Sequence, residues 1–174
     1  ASEAADYLAG SMSGKTVGIG GSVTIEQMGL YDRLAQNNTV YWHWRTNDLA
    51  TRTAAAGAEV YLTSANAIAE TGEIINIDGA GNRVAATLYG HERVILIAGV
   101  NKIVDDLEGA LERIRAIAAP RNNQRLKLPN PCVQSGHCMN CQGPTRICNV
   151  TTIIDKKPPL TDLQVWLVEE ELGY

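Results

Sequence analysis

Arg93-Val94-Ile95-Leu96-Ile97-Ala98 is the stretch of the chain that most resembles a fully buried strand. Five apolar residues in a row leave no polar face, which is typical of a central strand in a parallel sheet. Residues 103–118 then predict an amphipathic helix, and Pro120 is predicted to end it. The apolar stripe of this helix consists of Val104, Leu107, Leu111 and Ile114. A buried strand followed by an amphipathic helix indicates an α/β fold.

Shorter strands and helices alternate along the rest of the sequence. The predicted strands are residues 16–19, 40–44, 59–63, 74–77, 84–88, 151–154 and 164–168, and the predicted helices are residues 24–34, 47–56 and 65–70. Residues 74–77 and 84–88 are predicted to pair as a hairpin around the turn at 78–82. The alternation as a whole predicts a mostly parallel sheet with helices on both faces.

The composition is that of a globular domain, since 45% of the 174 residues are hydrophobic and 20% are charged. The net charge of −4 argues against a general nucleic-acid partner, because phosphate binding needs a basic face. No apolar run is long enough to cross a membrane, and residues 1–14 carry no secretion-signal pattern. We therefore expect a cytoplasmic protein with neither a nucleic acid nor a membrane as partner.

A glycine-rich turn, Gly20-Gly21-Ser22-Val23-Thr24, separates the first predicted strand from the first predicted helix. Glycine lets backbone amides come close to a ligand, and a helix N-terminus favours an anion. Ligands of open α/β sheets gather at such carboxyl ends of strands, although the third glycine of the dinucleotide-binding fingerprint is absent here. Two interpretations stay open: an anion site that uses Gly20, Gly21, Ser22 and Thr24, or a tight turn with a helix cap.

Asn66 and Glu70 lie four residues apart in the predicted helix 65–70, which would place them on one helix face. A carboxylate there could act as a general base, a nucleophile or a substrate anchor. Glu70 is therefore the candidate catalytic residue, and Asn66 is a candidate ligand-binding residue. The alternative is that Asn66 caps the helix and Glu70 is solvated.

Polar residues at the ends of two further strands are also candidate ligand-binding residues. Asp78, Asn82 and Arg83 lie in or directly after the predicted hairpin turn. The Arg83 guanidinium could bind a carboxylate or phosphate through two hydrogen bonds, although a solvated hairpin tip also explains these residues. Lys102 follows the buried strand 93–98, where its charge could face the same cleft; an ordinary surface lysine is the alternative.

Four cysteines, at Cys132, Cys138, Cys141 and Cys148, lie within 17 residues, and the preceding 131 residues contain none. The spacing is C-x5-C-x2-C-x6-C. A tight cluster in a chain without a secretion signal favours metal binding over a disulfide scaffold. The flanking cations are Arg121, Arg125, Lys127, Arg146, Lys156 and Lys157. We expect them to lower the pKa values of the thiols and to offset the charge of four thiolates.

Three interpretations of the cysteine segment compete. A [4Fe–4S] cluster takes four cysteines and is favoured by the ligand pattern. Structural zinc comes second, because zinc sites with four cysteines commonly use two C-x2-C pairs and only one is present. Bare thiols or adventitious disulfides are the third interpretation. We expect His137 to lie outside the ligand set.

Taken in order, several of these segments resemble the LUD-domain family of lactate-utilisation proteins, which is DUF162-like. The matching segments are Val17-Gly-Ile-Gly-Gly-Ser-Val-Thr24, Ser64-Ala-Asn-Ala-Ile-Ala-Glu-Thr-Gly72, Asp78-Gly-Ala-Gly-Asn-Arg83 and Val94-Ile-Leu-Ile-Ala-Gly-Val-Asn-Lys-Ile103. The resemblance covers most of residues 14–170. It implies the α/β fold of sugar-phosphate isomerases and coenzyme A transferases, which bind ligands at glycine-rich strand ends. It also implies that this chain begins within the N-terminal helical region of the family.

The resemblance implies a domain organisation and two alternative functions. Residues 1–119 would form the LUD core, residues 120–149 a four-cysteine loop, and residues 150–174 the strands that complete the domain. The first function is a protein of lactate or organic-acid metabolism that binds an anionic small molecule in the glycine-lined cleft and uses an iron–sulfur or metal site for redox. The second is a non-catalytic partner or regulator in a redox complex, with a structural zinc.

The resemblance assigns no defined reaction to the domain, so it does not establish an enzyme. It implies that Glu70, Asp78, Asn82, Arg83 and Lys102 lie near the glycine turn. The implied partners are an anionic small molecule, other lactate-oxidation subunits and a second copy of the chain.

Overall fold

The computed structural model describes all residues from Ala1 to Tyr174. The strands are β1 (Thr16–Ile19), β2 (Thr39–Trp42), β3 (Val60–Thr63), β4 (Ala67–Ala69), β5 (Ile74–Asp78), β6 (Arg93–Gly99), β7 (Ile103–Val104), β8 (Val150–Ile154) and β9 (Asp162–Val168). The helices are α1 (Ser2–Gly10), α2 (Val23–Gln27), α3 (Leu30–Leu34), α4 (Leu49–Ala56), α5 (Asn82–Leu88), α6 (Leu107–Arg113), α7 (Ala119–Arg125) and α8 (Cys132–Ser135). No helix has the length and apolar character that crossing a membrane requires.

The chain forms two compact units, each assembled from separate segments. Unit 1 contains Ala1–Ser64, Ala85–Asn101 and Lys157–Gly173, and unit 2 contains Ala65–Val84, Lys102–Lys156 and Tyr174. Unit 1 holds a five-stranded sheet in the order β2-β1-β3-β6-β9, in which every neighbouring pair is parallel. The apolar run at 93–98 forms β6, which pairs with β3 on one side and with β9 on the other. The predicted parallel sheet is confirmed.

Helices cover both faces of the unit 1 sheet. Val17 and Ile19 of β1 point into a core that includes side chains of α1, α2 and α3. The residue between them, Gly18, faces the other way, where a Cβ atom would collide with the Ala55 carbonyl of α4. Side chains alternate between the two faces of a strand, so position 18 faces α4. Only glycine, which has no Cβ, lets α4 pack this closely.

The predicted helix 24–34 is divided in two by Gly29, whose φ of 62° is left-handed. α2 ends before this residue, and α3 begins after it. The hydroxyl oxygen of Ser22 caps α2 by accepting a hydrogen bond from the backbone N–H of Ile25 at 3.2 Å. The left-handed turn at Gly29 changes the chain direction, because glycine has no Cβ to oppose it.

Unit 2 holds a mixed four-stranded sheet in the order β7-β4-β5-β8. β5 is antiparallel to β4 and to β8, whereas β4 and β7 are parallel. The predicted helix 65–70 is wrong, because Ala67–Ala69 forms strand β4. The alanines of this segment favour a helix locally, but strand partners on both sides satisfy the backbone of β4 and override that preference.

The predicted hairpin at 74–88 is also wrong in its second half, because residues 82–88 form helix α5. The carboxylate of Asp78, at the end of β5, explains the change. Its Oδ2 accepts hydrogen bonds from the backbone N–H groups of Arg83 at 3.1 Å and Val84 at 3.3 Å. These are N–H groups of the first helical turn, so Asp78 acts as a helix cap across a glycine-rich loop.

The long helix predicted over 103–118 starts later and continues further. α6 begins after Asp106, whose side chain caps it through the Gly109 N–H at 2.8 Å. Residues Ile114–Ala118 form a π-helical stretch, and α7 continues through Pro120 to Arg125. Pro120 therefore does not end the helix. It lies in the first turn of α7, where its missing N–H does no harm because the π stretch has already interrupted the α-helical hydrogen-bond pattern.

Candidate functional site

The predicted glycine turn lies in unit 1 and uses its polar atoms in internal contacts. The Gly20 N–H donates to the Leu62 carbonyl at 2.8 Å, and the Ser22 hydroxyl caps α2. Thr24 is fully buried, and its hydroxyl accepts from the Ser64 hydroxyl and donates to the Leu172 carbonyl, both at 3.3 Å. These contacts match the turn-and-cap interpretation. A ligand role for Gly20, Gly21, Ser22 and Thr24 stays a prediction.

Asn66 is the centre of a hydrogen-bond network in unit 2. Its side-chain oxygen accepts from the Ile77 N–H at 2.8 Å and from Nη2 of Arg83 at 3.1 Å. Its backbone carbonyl accepts from Nη1 of Arg113 at 2.6 Å, and its N–H donates to Oδ1 of Asn76 at 3.0 Å. Asn66 therefore links two arginines that lie 30 positions apart in the sequence, on α5 and α6.

Arg83 is 9% exposed and extends along the end of β5. Its Nη1 donates to Oδ1 of Asn76 at 2.6 Å, and its Nη2 donates to the Ile77 carbonyl at 2.7 Å. The Asp78 carboxylate reaches Arg83 only at 4.0 Å, and its oxygens already accept backbone N–H groups as a helix cap. The neutral acceptors therefore orient the guanidinium, and the Asp78 carboxylate is its more distant ionic partner.

Lys102 ends the 3₁₀ turn Val100–Lys102 that follows β6, and it is 4% exposed. Burial and the positive charges of Arg113 and Arg83 lower the pKa of this lysine to about 7. Arg113 is 7% exposed, and burial together with Arg121 lowers its pKa as well. Arg83, Lys102 and Arg113 thus form a buried set of three cations, which we name the cationic cluster.

Two buried polar atoms on the β5–β8 pair lack hydrogen-bond partners, and one belongs to Asn76, which contacts Arg83. The side-chain nitrogen of Asn76, a fully buried residue, has no acceptor, and the hydroxyl of Thr152 has no partner. Asn76 on β5 is paired directly with Thr152 on β8, so the two side chains project from the same face of the sheet. An unsatisfied buried donor costs about 1–3 kcal/mol, which a ligand oxygen could recover.

The structure brings together only some of the predicted site residues of unit 2. Asn66, Arg83 and Lys102 meet in or next to the cationic cluster, as the contacts above show. Asn82 is the first residue of α5 and is partly buried. Glu70 is exposed at the far end of β4 from Asn66, about 13 Å away at the rise of an extended chain. Its proposed catalytic role stays a prediction.

Sequence reasoning missed Arg113 and Asn76. Arg113 lies next to the apolar residue Ile114 in an amphipathic helix, where a charged residue is usually solvated, and no sequence signal distinguishes it. Asn76 did carry a signal, because it is the one polar residue in Ile74-Ile75-Asn76-Ile77. A polar side chain within an apolar strand has to find buried partners.

The four cysteines are all free, and the backbone around them is well defined by hydrogen bonds. The Cys138 N–H donates to the Arg115 carbonyl at 2.8 Å. Asn140 has a left-handed φ of 47°, and its N–H donates to the sulfur of Cys138 at 3.4 Å. Arg146 binds the carbonyls of Cys141 at 2.5 Å and Cys148 at 2.9 Å, which ties the ends of this loop together.

The thiols are close enough to influence one another. Burial, followed by the nearby Cys138 and Cys132, raises the pKa of Cys148 to about 11, even though Arg146 acts in the opposite direction. Burial, Cys141 and Cys138 likewise raise the pKa of Cys132. The predicted lowering of the thiol pKa values is therefore wrong for these two residues, because burial outweighs the flanking cations.

The side chains of this segment do not form a ready coordination group. No set of three or more His, Cys, Asp or Glu residues is arranged to hold a metal ion. His137 is exposed and lies 3.0 Å from the Glu112 carboxylate through its Nε2. Four thiols fit the donor set of zinc or an iron–sulfur cluster, but their positions in this structure do not. The metal role of Cys132, Cys138, Cys141 and Cys148 stays a prediction.

Comparison with known proteins agrees with the resemblance seen in the sequence. The family model of the LUD domain matches residues 1–168. A crystal structure of a DUF162 family protein from Deinococcus radiodurans aligns over 93% of this chain and 91% of that chain, with 14% sequence identity and a TM-score of 0.41. No functionally curated protein matches the chain significantly.

The parallel sheet with helices on both faces defines an α/β protein. The family match then places it more closely, since it covers nearly the whole sequence. The chain belongs to the LUD domain family.

Proposed function

We propose that this LUD domain binds a small organic anion with a carboxylate group, as part of lactate or related organic-acid metabolism. The observation that carries the proposal is the burial of Arg83, Lys102 and Arg113 within one unit. The link to lactate comes from the family resemblance, and the choice of an anion comes from the cationic cluster.

The energetics of the cationic cluster support an anionic ligand. Removing a cation from water is unfavourable unless opposite charge or hydrogen bonds compensate for it, and the three cations also repel one another. The depressed pKa of Lys102 reflects this unfavourable balance. A bound carboxylate would relieve the repulsion and could also accept charge-assisted hydrogen bonds from guanidinium N–H groups that the internal contacts leave available.

The side-chain nitrogen of Asn76, which has no hydrogen-bond acceptor, is a second feature in favour of a ligand. Its oxygen is held by Arg83 and by the Asn66 N–H, so the amide nitrogen is fixed next to the Arg83 guanidinium. A donor in this position complements a ligand oxygen. A guanidinium and a neutral amide side by side suit a carboxylate, which offers two acceptor oxygens.

Calorimetric titration with pyruvate, L-lactate and inorganic phosphate tests the proposal. Arg83→Gln should weaken binding of the preferred anion at least tenfold, because it removes one of three buried charges. Arg93→Gln is the matched control, since Arg93 is an exposed arginine paired with Asp162 in unit 1. Failure of the wild-type protein to bind any of these anions, or equal losses in both variants, would contradict the proposal.

A second candidate function is a metal–thiolate centre formed by the four cysteines. Three observations favour it: all four thiols are free, neighbouring cysteines raise the pKa values of Cys132 and Cys148, and the sulfur of Cys138 accepts the Asn140 N–H. Bound to these residues, a [4Fe–4S] cluster would supply electron transfer, whereas zinc would stabilise the loop of a non-catalytic partner in a redox complex. Since the thiols do not form a coordination group as they stand, binding would require their side chains to rearrange.

Anaerobic purification followed by metal analysis and visible spectroscopy distinguishes these forms. Iron with broad visible absorbance supports the cluster, and stoichiometric zinc supports the structural site. Protein that is folded, reduced and free of both metals after reconstitution attempts would remove the second candidate. Cys141→Ser should lower the metal content, with Ser135→Ala as the control because Ser135 lies in the same segment without a thiol.

A further inference from the structure

β9 is an edge strand without the features that usually protect such an edge. It lies at the end of the unit 1 sheet and pairs only with β6, in continuous register over seven residues. The backbone N–H and C=O groups on its other side therefore have no strand partner. Natural edge strands are commonly short or interrupted by lysine, proline or a bulge. β9 is the longest edge strand of the two sheets, and no lysine, proline or bulge interrupts it.

One face of β9 is apolar and largely exposed to solvent. Side chains alternate between the two faces of a strand, so Leu163, Val165 and Leu167 share one face. Trp166 and Val168, on the opposite face, pack into the core of unit 1. Leu163 is buried, but Val165 is 40% exposed and Leu167 is 55% exposed. Exposed apolar side chains next to an unpaired strand edge are characteristic of a surface that another strand can cover.

The two ends of β9 carry opposite net charge. At the first residue, the Asp162 carboxylate lies between two cations, with Nε of Arg93 at 2.9 Å and Nζ of Lys157 at 3.6 Å. Three exposed glutamates, Glu169–Glu171, follow the last residue, and the middle one contacts the amino group of Ala1. The beginning of the strand therefore has an excess of positive charge, and its end has an excess of negative charge.

We propose that β9 pairs antiparallel with β9 of a second copy of the chain, around a two-fold axis at Val165. In this register Leu163 faces Leu167 of the second copy, and the two Val165 side chains face each other. Asp162 faces Val168 of the second copy, so the two cations beside this aspartate lie next to the glutamates that follow β9 in that copy. The two five-stranded sheets join into one, and the exposed apolar faces become continuous. Parallel pairing would instead bring the glutamates of both copies together, which like-charge repulsion opposes.

A second copy suits this edge better than an unrelated extended segment, because the strand complements itself. The apolar face of residues 163–167 has the pattern Leu-x-Val-x-Leu, which is the same in both directions, and the charges at the two ends are opposite. A two-fold interface requires such self-complementarity, since both copies use the same surface. β9 belongs to unit 1, whereas Arg83, Lys102 and Arg113 belong to unit 2, so dimerisation and anion binding can be measured separately.

Sedimentation equilibrium and hydrogen–deuterium exchange of the wild-type protein test this pairing. The chain should be a dimer at about 200 µM and should dissociate on dilution. The amides of β9 should exchange more slowly in the dimer than in the dilute monomer, whereas those of β2, the opposite edge of the same sheet, should not change. Protection of β2 or β8 in place of β9 overturns the inference. A protein that stays monomeric overturns it as well, since the edge would then be left to a strand from a different protein.

Substitution at the two-fold axis locates the interface. Val165→Lys brings two lysines together there and should weaken the dimer at least tenfold. Leu49→Lys is the matched control, because Leu49 is an exposed apolar residue of α4, the helix that packs on β1 and β2. It should leave the dimer dissociation constant unchanged. Equal effects of these two variants would contradict the assignment of the interface to β9.

Charge reversal tests the antiparallel direction of the pairing. Lys157→Glu should weaken the dimer, because it places a carboxylate next to the glutamates of the second copy. Adding Glu169→Lys to the same chain should strengthen the dimer again, since a reversed ion pair replaces the lost one. Both positions are exposed, so neither change should unfold the protein. A double variant that dimerises more weakly than Lys157→Glu alone would exclude antiparallel pairing.

Discussion

Oδ1 of Asn76 lies 2.6 Å from Nη1 of Arg83 and also accepts the backbone N–H of Asn66 at 3.0 Å. One neutral oxygen thus orients a buried guanidinium and joins β5 to the residue that precedes β4. Because this acceptor is an amide rather than a carboxylate, it orients the Arg83 guanidinium without itself adding a negative charge. The relationship fixes the position of a buried cation at the end of β5.

Asn76→Asp should place a negative charge next to Arg83, in the position that we propose for the ligand carboxylate. The aspartate keeps the oxygen that Arg83 needs but adds a negative charge, so the free energy of unfolding should be unchanged or higher. Pyruvate or L-lactate affinity should fall at least tenfold, because the cluster is already partly neutralised. Asn76→Leu is the comparison: it should destabilise the protein by about 2–4 kcal/mol, since it leaves the buried Nη1 of Arg83 and the Asn66 N–H without their shared acceptor. Calorimetry and urea unfolding measure both effects, and unaltered anion affinity in the aspartate variant would refute the assignment.

Lys102→Met should stabilise the protein in a pH-dependent manner. The buried amine loses its proton near pH 7, whereas in the unfolded chain it keeps it up to about 10.5. Between these values the unfolded wild-type chain binds more protons, so wild-type stability rises with pH. The gain from methionine should therefore be largest below pH 7, on the order of 5 kcal/mol, and should shrink towards pH 10. Urea unfolding of both proteins at pH 6, 7.5 and 9 measures the difference in free energy of unfolding. A difference that is independent of pH would be inconsistent with a buried charged lysine.

The sequence predicted the sheet of unit 1 better than the candidate site. β1, β3 and β6 are mostly apolar and almost wholly buried, and this composition is enough to predict a strand that is covered on both faces. β4 was missed because three residues, Ala67–Ala69, carry no usable periodicity, and their partners come from distant segments. Helix α5 was missed for a similar reason, because the Asp78 carboxylate that caps it is separated from Arg83 by a loop.

Dependence on contacts between distant segments also limits the prediction of the cationic cluster. Arg83 and Lys102 were candidates because they follow strand ends, where α/β proteins place ligands. Arg113 has no such position, and it reaches the site only because α6 packs against β4 and β5 and presents its side chain to the Asn66 carbonyl. Contacts between distant segments, rather than local pattern, assemble these three cations.

Glu70→Gln tests the sequence prediction that this carboxylate carries catalysis. If Glu70 is the base, the variant should fold normally and abolish turnover, because the amide cannot accept a proton. Exchange of the pyruvate methyl protons with deuterium, followed by NMR, is a suitable assay, since these protons lie next to a carbonyl and a general base can remove them. Glu73→Gln is the control, as Glu73 lies on the same turn and bonds Thr71. Undiminished exchange in a folded Glu70→Gln protein would exclude Glu70 from the reaction.

Proton uptake on binding of L-lactate is the most direct test of an anion bound beside Lys102, since a carboxylate in that position would change the protonation of the amine. A nearby negative charge raises the pKa of a lysine from about 7, so at pH 8 the largely neutral amine must gain a proton when the anion binds. Calorimetry in two buffers of different ionisation enthalpy should show uptake approaching one proton at pH 8 and little at pH 6. Two variants serve as checks. Arg83→Gln should bind L-lactate weakly, and Lys102→Met should bind it without taking up a proton. Wild-type protein that fails to bind L-lactate, or binds it at pH 8 without taking up a proton, would contradict the cationic cluster as the ligand site.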